Sequence, residues 1–348
     1  MRLRIPERLS AVDLLLWGLR VAIVVFVLVG SYATLSQGLL GPERWPGLLV
    51  NGLSTGAIYA LIALGYTLVY GVLFMINFAH GEVFMSGVFT AYFAAVGLAD
   101  SGILDSNPIV GLAIIFAVSM LTSMGVALLL ERVAYRPLRR APRLVPLITA
   151  IGASLFLQYT FRGLYGTGTK SYPTIDILTG TVTIFGIEML KTQLVVIVAA
   201  VLMMGGLYVF VQRTSTGRAM RAVSEDKDVA AMMGINVDRV IATTFAIGGI
   251  LAGATGILYV FLFNVVSFSM GFLPGIKAFT AAVLGGIGNI VGAMLGGVFL
   301  GLLESIGPRL LLSGFDVPSV NQLRDVVAFT VLVLVLIFRP YGILGRKE

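Results

Sequence analysis

The chain has 348 residues, of which 58% are hydrophobic and 12% charged, about half the charged share of a soluble domain. That much apolar surface excludes a water-soluble globule and makes lipid the natural solvent; one histidine and no cysteine exclude disulfide frameworks, thiolate metal sites and multi-histidine metal sites. The net charge of +7 falls in short basic runs between apolar stretches, which fits the positive-inside rule and argues against a nucleic-acid partner.

A membrane-crossing helix needs about 20 mainly apolar residues. The first candidate, 12–37, follows Arg2, Arg4 and Arg8. It reads as an uncleaved anchor, with a cleaved signal peptide as the alternative because small residues lie around Ser31 to Ala33. Arg20 sits a turn or two inside it and can snorkel to the headgroups. Further full-length candidates are 48–71, 78–98, 108–130, 144–164, 191–212, 239–263 and 322–339. Between the last two, 276–306 is apolar but interrupted by Gly285, Gly286, Gly288 and Asn289. Its halves are too short to be comfortable independent spans. The predicted fold is an all-α polytopic membrane protein with about eight full spans and a glycine-broken or re-entrant element at 276–306. The segment 165–190 is the one sizeable external loop. Its alternating Thr174–Ile177 and Thr181–Phe185, around Thr179 and Gly180, predict a small external β-hairpin.

Basic residues orient these spans. Arg132, Arg136, Arg139, Arg140 and Arg143 follow 108–130; Arg213, Arg218, Arg221, Lys227 and Arg239 follow 191–212; Arg339, Arg346 and Lys347 follow the last span. With the N-terminus in the cytoplasm, a parity count places the first two groups inside. The third is inside only if 276–306 leaves by the outer side it entered, or crosses twice. Both termini are therefore expected in the cytoplasm.

Three features are candidates for chemistry. Most of the 42 glycines lie in the spans, with Gly52 and Gly56, Gly249 and Gly253, and the ladder Gly288, Gly292 and Gly296 each four apart. This spacing lets helix backbones approach closely in lipid, and around 285–292 it also suits a pathway near the membrane centre. The run Asn77–Glu82, which includes His80, reads as a short cytoplasmic turn with Asn77 capping the next helix; the competing reading is a polar site within the membrane. The segment Thr216–Gly234 places apolar Met220, Val223 and Ala230–Met233 on one short amphipathic helix, with an Arg221–Glu225 pair and Gly234 as its end. It suits either a solvated surface or a docking helix for a cytoplasmic partner. None of the five lysines follows a glycine, so no P-loop for ATP is recognisable.

The run Tyr59–Val72, continuing through Met75–Glu82, resembles the LivH-type permeases of branched-chain amino acid ABC transporters. So do Gly217–Ala222 with Ala230–Asn236, and Lys277–Asn289. The likeness runs from about residue 45 to the C-terminus and leaves 1–44 as an added N-terminal span on a permease core of 45–348. It implies an importer that moves branched-chain or other small amino acids by alternating access and is not itself an enzyme. The implied partners are a second permease, two cytoplasmic ATPase subunits that hold ATP and magnesium, and an external substrate-binding protein, assembled in the bacterial inner membrane. It further implies a coupling segment within 213–238, with Gly217, Arg218, Arg221, Ala222, Glu225, Ala230 and Gly234 in that role, and Asn77, His80, Gly285 and Gly288 along the pathway. Related permeases also handle urea or short amides. A secondary transporter is the other reading, disfavoured by the scarcity of acidic residues within the spans.

Overall fold

The computed structural model describes residues 11–139, 141–142, 144–339 and 342–345. The basic residues Arg2, Arg4, Arg8, Arg140, Arg143, Arg346 and Lys347 lie outside the described residues. In chain order the helices are α1 Ala11–Ser36, α2 Trp45–Leu73, α3 His80–Asp100, α4 Ile103–Ser106, α5 Pro108–Leu130, α6 Leu144–Tyr165, α7 Lys191–Arg213, α8 Ser215–Glu225, α9 Lys227–Met232, α10 Val237–Phe263, α11 Phe272–Gly285, α12 Ile290–Leu312 and α13 Arg324–Phe338. Four short strands accompany them: β1 Lys170–Ser171, β2 Thr181–Ile184, β3 Ile187–Leu190 and β4 Val265–Val266.

Among the described residues, nine helices are long and apolar enough to cross a membrane. The expected eight become nine because α12 is a continuous 23-residue helix; its glycines pack against neighbours instead of breaking it. The apolar helix α11, with 14 residues, falls short of a span, about 21 Å long against a hydrocarbon core of about 30 Å. The break therefore falls between 285 and 290, and the interrupted element extends beyond 276–306 at both ends.

Contacts define two ends of the bundle. The first carries α8 and α9 beside the last turn of α2, where Lys227 Nζ donates to the Leu73 carbonyl at 3.4 Å. The second carries the strands, with Gln193 Nε2 donating to Asn51 Oδ1 at 2.6 Å and Ser305 Oγ donating to the Leu48 carbonyl at 2.7 Å. The turn between α11 and α12 lies at the first end, near Tyr70, and the Asn289 side chain donates to Leu344 there at 3.0 Å. From that turn α12 runs back to the second end at Ser305, whereas α11 begins within the bundle against Gly81 and is joined to β4 by residues 267–271. The chain thus leaves the second end after β4, turns at the first end between α11 and α12, and returns.

Helix α2 is the central element, buried on nearly every side. Along α12 it meets backbone with backbone: a Cβ on Gly301 would fall on Gly56, and one on Gly297 on Ala60. Such contacts replace side-chain interdigitation where lipid supplies no hydrophobic drive. Gly249 and Gly253 of α10 bring that helix equally close to α5, where the Ser119 hydroxyl donates to the Gly253 carbonyl at 2.7 Å. Helix α1 packs at the periphery, tied to the end of α12 by Gly314 N donating to Thr34 Oγ1 at 2.9 Å, and its Arg20 guanidinium lies 4.8 Å over the Phe338 ring.

The hairpin forms one step later than expected. β2 pairs with β3, Thr181 opposite Leu190 and Ile184 opposite Ile187, through Phe185 and Gly186 at φ 51° and 79°. Two left-handed residues are what a tight hairpin turn requires. The Thr174–Ile177 stretch cannot serve as its partner because Asp176–Leu178 closes into a helical turn. Lys170 and Ser171 instead pair with Val266 and Val265, tying the loop to the end of α10.

Candidate functional site

Between α2 and α3 the chain turns back into the bundle. His80, the first residue of α3, packs on Gly65 of α2 and near Gly248 of α10, eight residues before the end of α2 and about 12 Å in from it. Asn77, His80 and Glu82 are all buried, which overturns the reading of 77–82 as a solvated cytoplasmic turn. Asn77 does not cap α3; its Oδ1 accepts from the Tyr135 hydroxyl at 2.8 Å, in the π-turn Glu131–Tyr135 that ends α5. Burial overrides the capping preference because a tyrosine hydroxyl at depth needs an acceptor.

The start of α11 sits against this point. A Cβ on Gly81 would meet the Gly271 carbonyl, and one on Gly271 the Gly81 carbonyl, so two helix N-termini meet with no side chain between them. Beside them lies a cavity of about 290 Å³ lined by Tyr66, Phe78, Glu82, Ser154, Gly275 and others. A second cavity, of about 160 Å³, lies across α11 towards the strand end and is lined by Asn51, Tyr59, Tyr259, Lys277, Glu304 and Arg324 among others. There Lys277 Nζ stands 2.6 Å from both Glu304 Oε1 and Asp325 Oδ1, and the Tyr59 hydroxyl donates to Glu304 Oε2 at 2.7 Å. This network joins α2, α11, α12 and α13 through charges that would be costly unpaired.

The sequence reading missed Tyr59, Lys277, Glu304 and Asp325, and took acidic residues within the spans to be scarce. The signal was available: Lys277 and Glu304 are isolated charges inside apolar runs, and such residues mark a paired or functional site. Gly285 and Gly288, by contrast, belong to the α11–α12 turn. Gly285 touches Gly292 and Gly288 holds φ at +92°, so both shape the hairpin and neither lines the two cavities.

At the first end the expected single amphipathic helix is two, α8 and α9, divided at Asp226. The Asp226 carboxylate accepts from the N–H groups of Asp228 and Val229 at 2.8 and 3.0 Å, the N-cap of a new helix. Arg221 is not paired with Glu225; its guanidinium donates to the Val211 carbonyl and to Gln212. Met220, Val223 and Ala230 are buried in the chain's own bundle, whereas Met232 and Met233 are 78% and 79% exposed. Gly217 is buried where a Cβ would strike the Phe210 and Val211 carbonyls; Arg218, Glu225 and Gly234 are exposed. Lys227, over the Phe74 ring at 5.9 Å, has its pKa lowered first by burial and then by Arg139. Arg139 also pairs with Glu131 and Asp238, and Arg136 with Asp238 at 2.6 Å, clamping the ends of α5 and α10.

A multi-span helical bundle with a cavity on each face of an interrupted helix is the architecture expected of a transport permease. The family model for the branched-chain amino acid transport system / permease component matches residues 48–336. The chain is 47% identical over 303 residues to the high-affinity branched-chain amino acid transport system permease protein BraD of Pseudomonas aeruginosa, covering 86% of this chain and 95% of that one. It is 42% and 41% identical, with the same coverage, to the permease proteins LivH of Salmonella typhimurium and Escherichia coli strain K12. The chain belongs to this family of membrane-spanning permease components.

Proposed function

We propose that the chain is the permease subunit of an ATP-driven importer for branched-chain or other small amino acids in a bacterial inner membrane. Its partners are a second permease, two cytoplasmic ATPase subunits that bind ATP with magnesium, and an external substrate-binding protein. Both termini and the α8–α9 end face the cytoplasm, and the strand end faces outward to meet the binding protein. The substrate class rests on the transport activity for which the relatives are named; the absence of a Gly-Lys pair agrees with ATP being held elsewhere.

The observation that carries the mechanism is the α8–α9 pair. Gly217, Met220, Val223 and Ala230 hold it rigidly on the bundle while Val229, Met232 and Met233 stay exposed. A projecting pair with flexible methionines at its tip is a surface for a groove on another protein. Within it, Gly217, Arg221, Ala222 and Ala230 set the position of the segment, and Arg218, Glu225 and Gly234 form its outer surface. Closure of the ATPases then pushes this segment and switches which end of the bundle is open. Asn77 and His80 hold the α2–α3 turn and Gly285 and Gly288 the α11–α12 turn, so all four act on the pathway through the helices they join and not by lining it.

The chain has no cysteine, so Met233→Cys supplies a single thiol for cross-linking to an ATPase subunit with a bismaleimide. Arg218→Glu is expected to lower ATP-driven uptake several-fold while membrane insertion and Tm are unchanged. Wild-type uptake by Arg218→Glu, together with no cross-link at Met233→Cys, overturns the docking role.

A further inference from the structure

The 290 Å³ cavity contains a buried carboxylate that the fold leaves unfinished. Glu82 is 1% exposed, yet Oε2 has no hydrogen-bond partner and Oε1 has only the Ser154 hydroxyl at 3.5 Å. Among the described residues no Lys or Arg forms an ion pair with it. Glu304 differs, since Lys277 and Tyr59 both meet it. An unpaired buried carboxylate is costly, and the bundle supplies only the positive ends of α3 and α11, whose first turns meet at Gly81 and Gly271. These ends favour an anion at Glu82 without donating to Oε2. What is missing is a donor.

The walls say what kind. Phe78, Ile151, Leu155, Phe272 and Ile276 make the cavity largely apolar, and the Tyr66 ring stands beside the carboxylate. Gly271 and Gly275 pack directly on Gly81, and a Cβ on Gly271 would also come within 3.1 Å of Glu82 Oε2. A volume of about 290 Å³ lies at the small end of ligand sites, which start at about 300 Å³. An ammonium group satisfies Oε2 with a charge-assisted bond and gains further from an aromatic face, while an aliphatic body covers the apolar walls.

We propose that Glu82 receives the protonated amino group of the transported molecule, and that the apolar wall beside it takes an aliphatic side chain. This rests on the amino-acid reading above and adds a substrate-recognising residue within the permease itself. The cavity lies beside the meeting point of two helix N-termini, so occupancy and movement of α11 are coupled. A small cation such as Na⁺ shares part of this chemistry, but it would leave the apolar walls uncovered.

The test uses the complete transporter. Thermal unfolding is followed with isopentylamine, which is leucine without its carboxylate, with 4-methylpentanoate, which is leucine without its amino group, and with NaCl against KCl at equal ionic strength. Isopentylamine is expected to raise Tm of the wild type and not of Glu82→Gln, and 4-methylpentanoate to leave both unchanged. Stabilisation by Na⁺ over K⁺ with isopentylamine inert overturns the proposal, as does no response to any of the three. In proteoliposomes, Glu82→Gln is expected to lower leucine kcat/KM about tenfold or more, the loss of one charge-assisted bond. If wild type fails to import any branched-chain amino acid, the amino-acid reading fails. If it imports leucine and Glu82→Gln imports equally well, only the present inference fails. Should Glu82→Gln not assemble, Glu82→Asp keeps the charge and withdraws it by one methylene, and an undiminished isopentylamine shift in that variant overturns the proposal.

Discussion

Helix α2 meets its neighbours in two opposite ways. Along α12 it lies backbone to backbone, Gly56 on Gly301 and Ala60 on Gly297. Towards α3 and α11 the same helix borders the short α11, two cavities and the buried charges Glu82 and Lys277, the latter paired with Glu304 of α12. The first region has one way to pack, because any displacement separates surfaces that fit at atomic contact. The second holds its elements by ion pairs and by the contacts of Gly271 and Gly275 on Gly81, with cavities left beside them. The chain thus combines a rigid seam with a movable neighbour on one helix, as a protein that alternates between two openings requires.

Three substitutions separate the two regions. The largest effect is expected for Gly301→Leu. Its Cβ alone falls on the Gly56 backbone, which cannot move without displacing α2, so the cost exceeds the usual overpacking range of about 1–3 kcal/mol. No folded protein should be recovered after detergent extraction and gel filtration. Lys277→Ala comes next, because it leaves Glu304 buried without its cation. Breaking a buried pair in this way costs about 3–5 kcal/mol, read as a fall in Tm, and Lys277→Met combined with Glu304→Gln should recover much of it. Gly125→Ala marks the small end. Nothing lies within 4 Å of its added Cβ, so the change is expected to be neutral or stabilising by less than about 1 kcal/mol. A Tm loss at Gly125→Ala as large as that at Gly301→Leu would show that glycine spacing alone, and not atomic contact, governs the seam.

The spans were legible in the sequence because lipid imposes length and apolarity on each helix independently of its neighbours. The break between α11 and α12 was legible for a different reason, since Gly285, Gly286, Gly288 and Asn289 interrupt an apolar run. Partners were harder. Nothing local says that Asn77 accepts from Tyr135, so a turn rule placed it in solvent when burial put it inside. Asp226 was readable, as an aspartate ahead of Lys227–Met232 is an ordinary helix start, but the apolar positions on both sides suggested one continuous face. The hairpin was displaced because glycines at both 180 and 186 permit a turn, and only the pairing of Ile184 with Ile187 selects the second. Lys277 and Glu304 stood out as charges in apolar runs, yet their distance of 27 positions along the chain concealed that they are partners.

The central claim is that transport through this bundle is driven from the α8–α9 end by ATP. The direct measurement is leucine uptake into proteoliposomes containing the complete transporter, with the binding protein and ATP supplied on opposite sides of the membrane. The account predicts uptake that requires both and stops when either is withheld. Uptake that continues at the same rate without ATP or without the binding protein would contradict it.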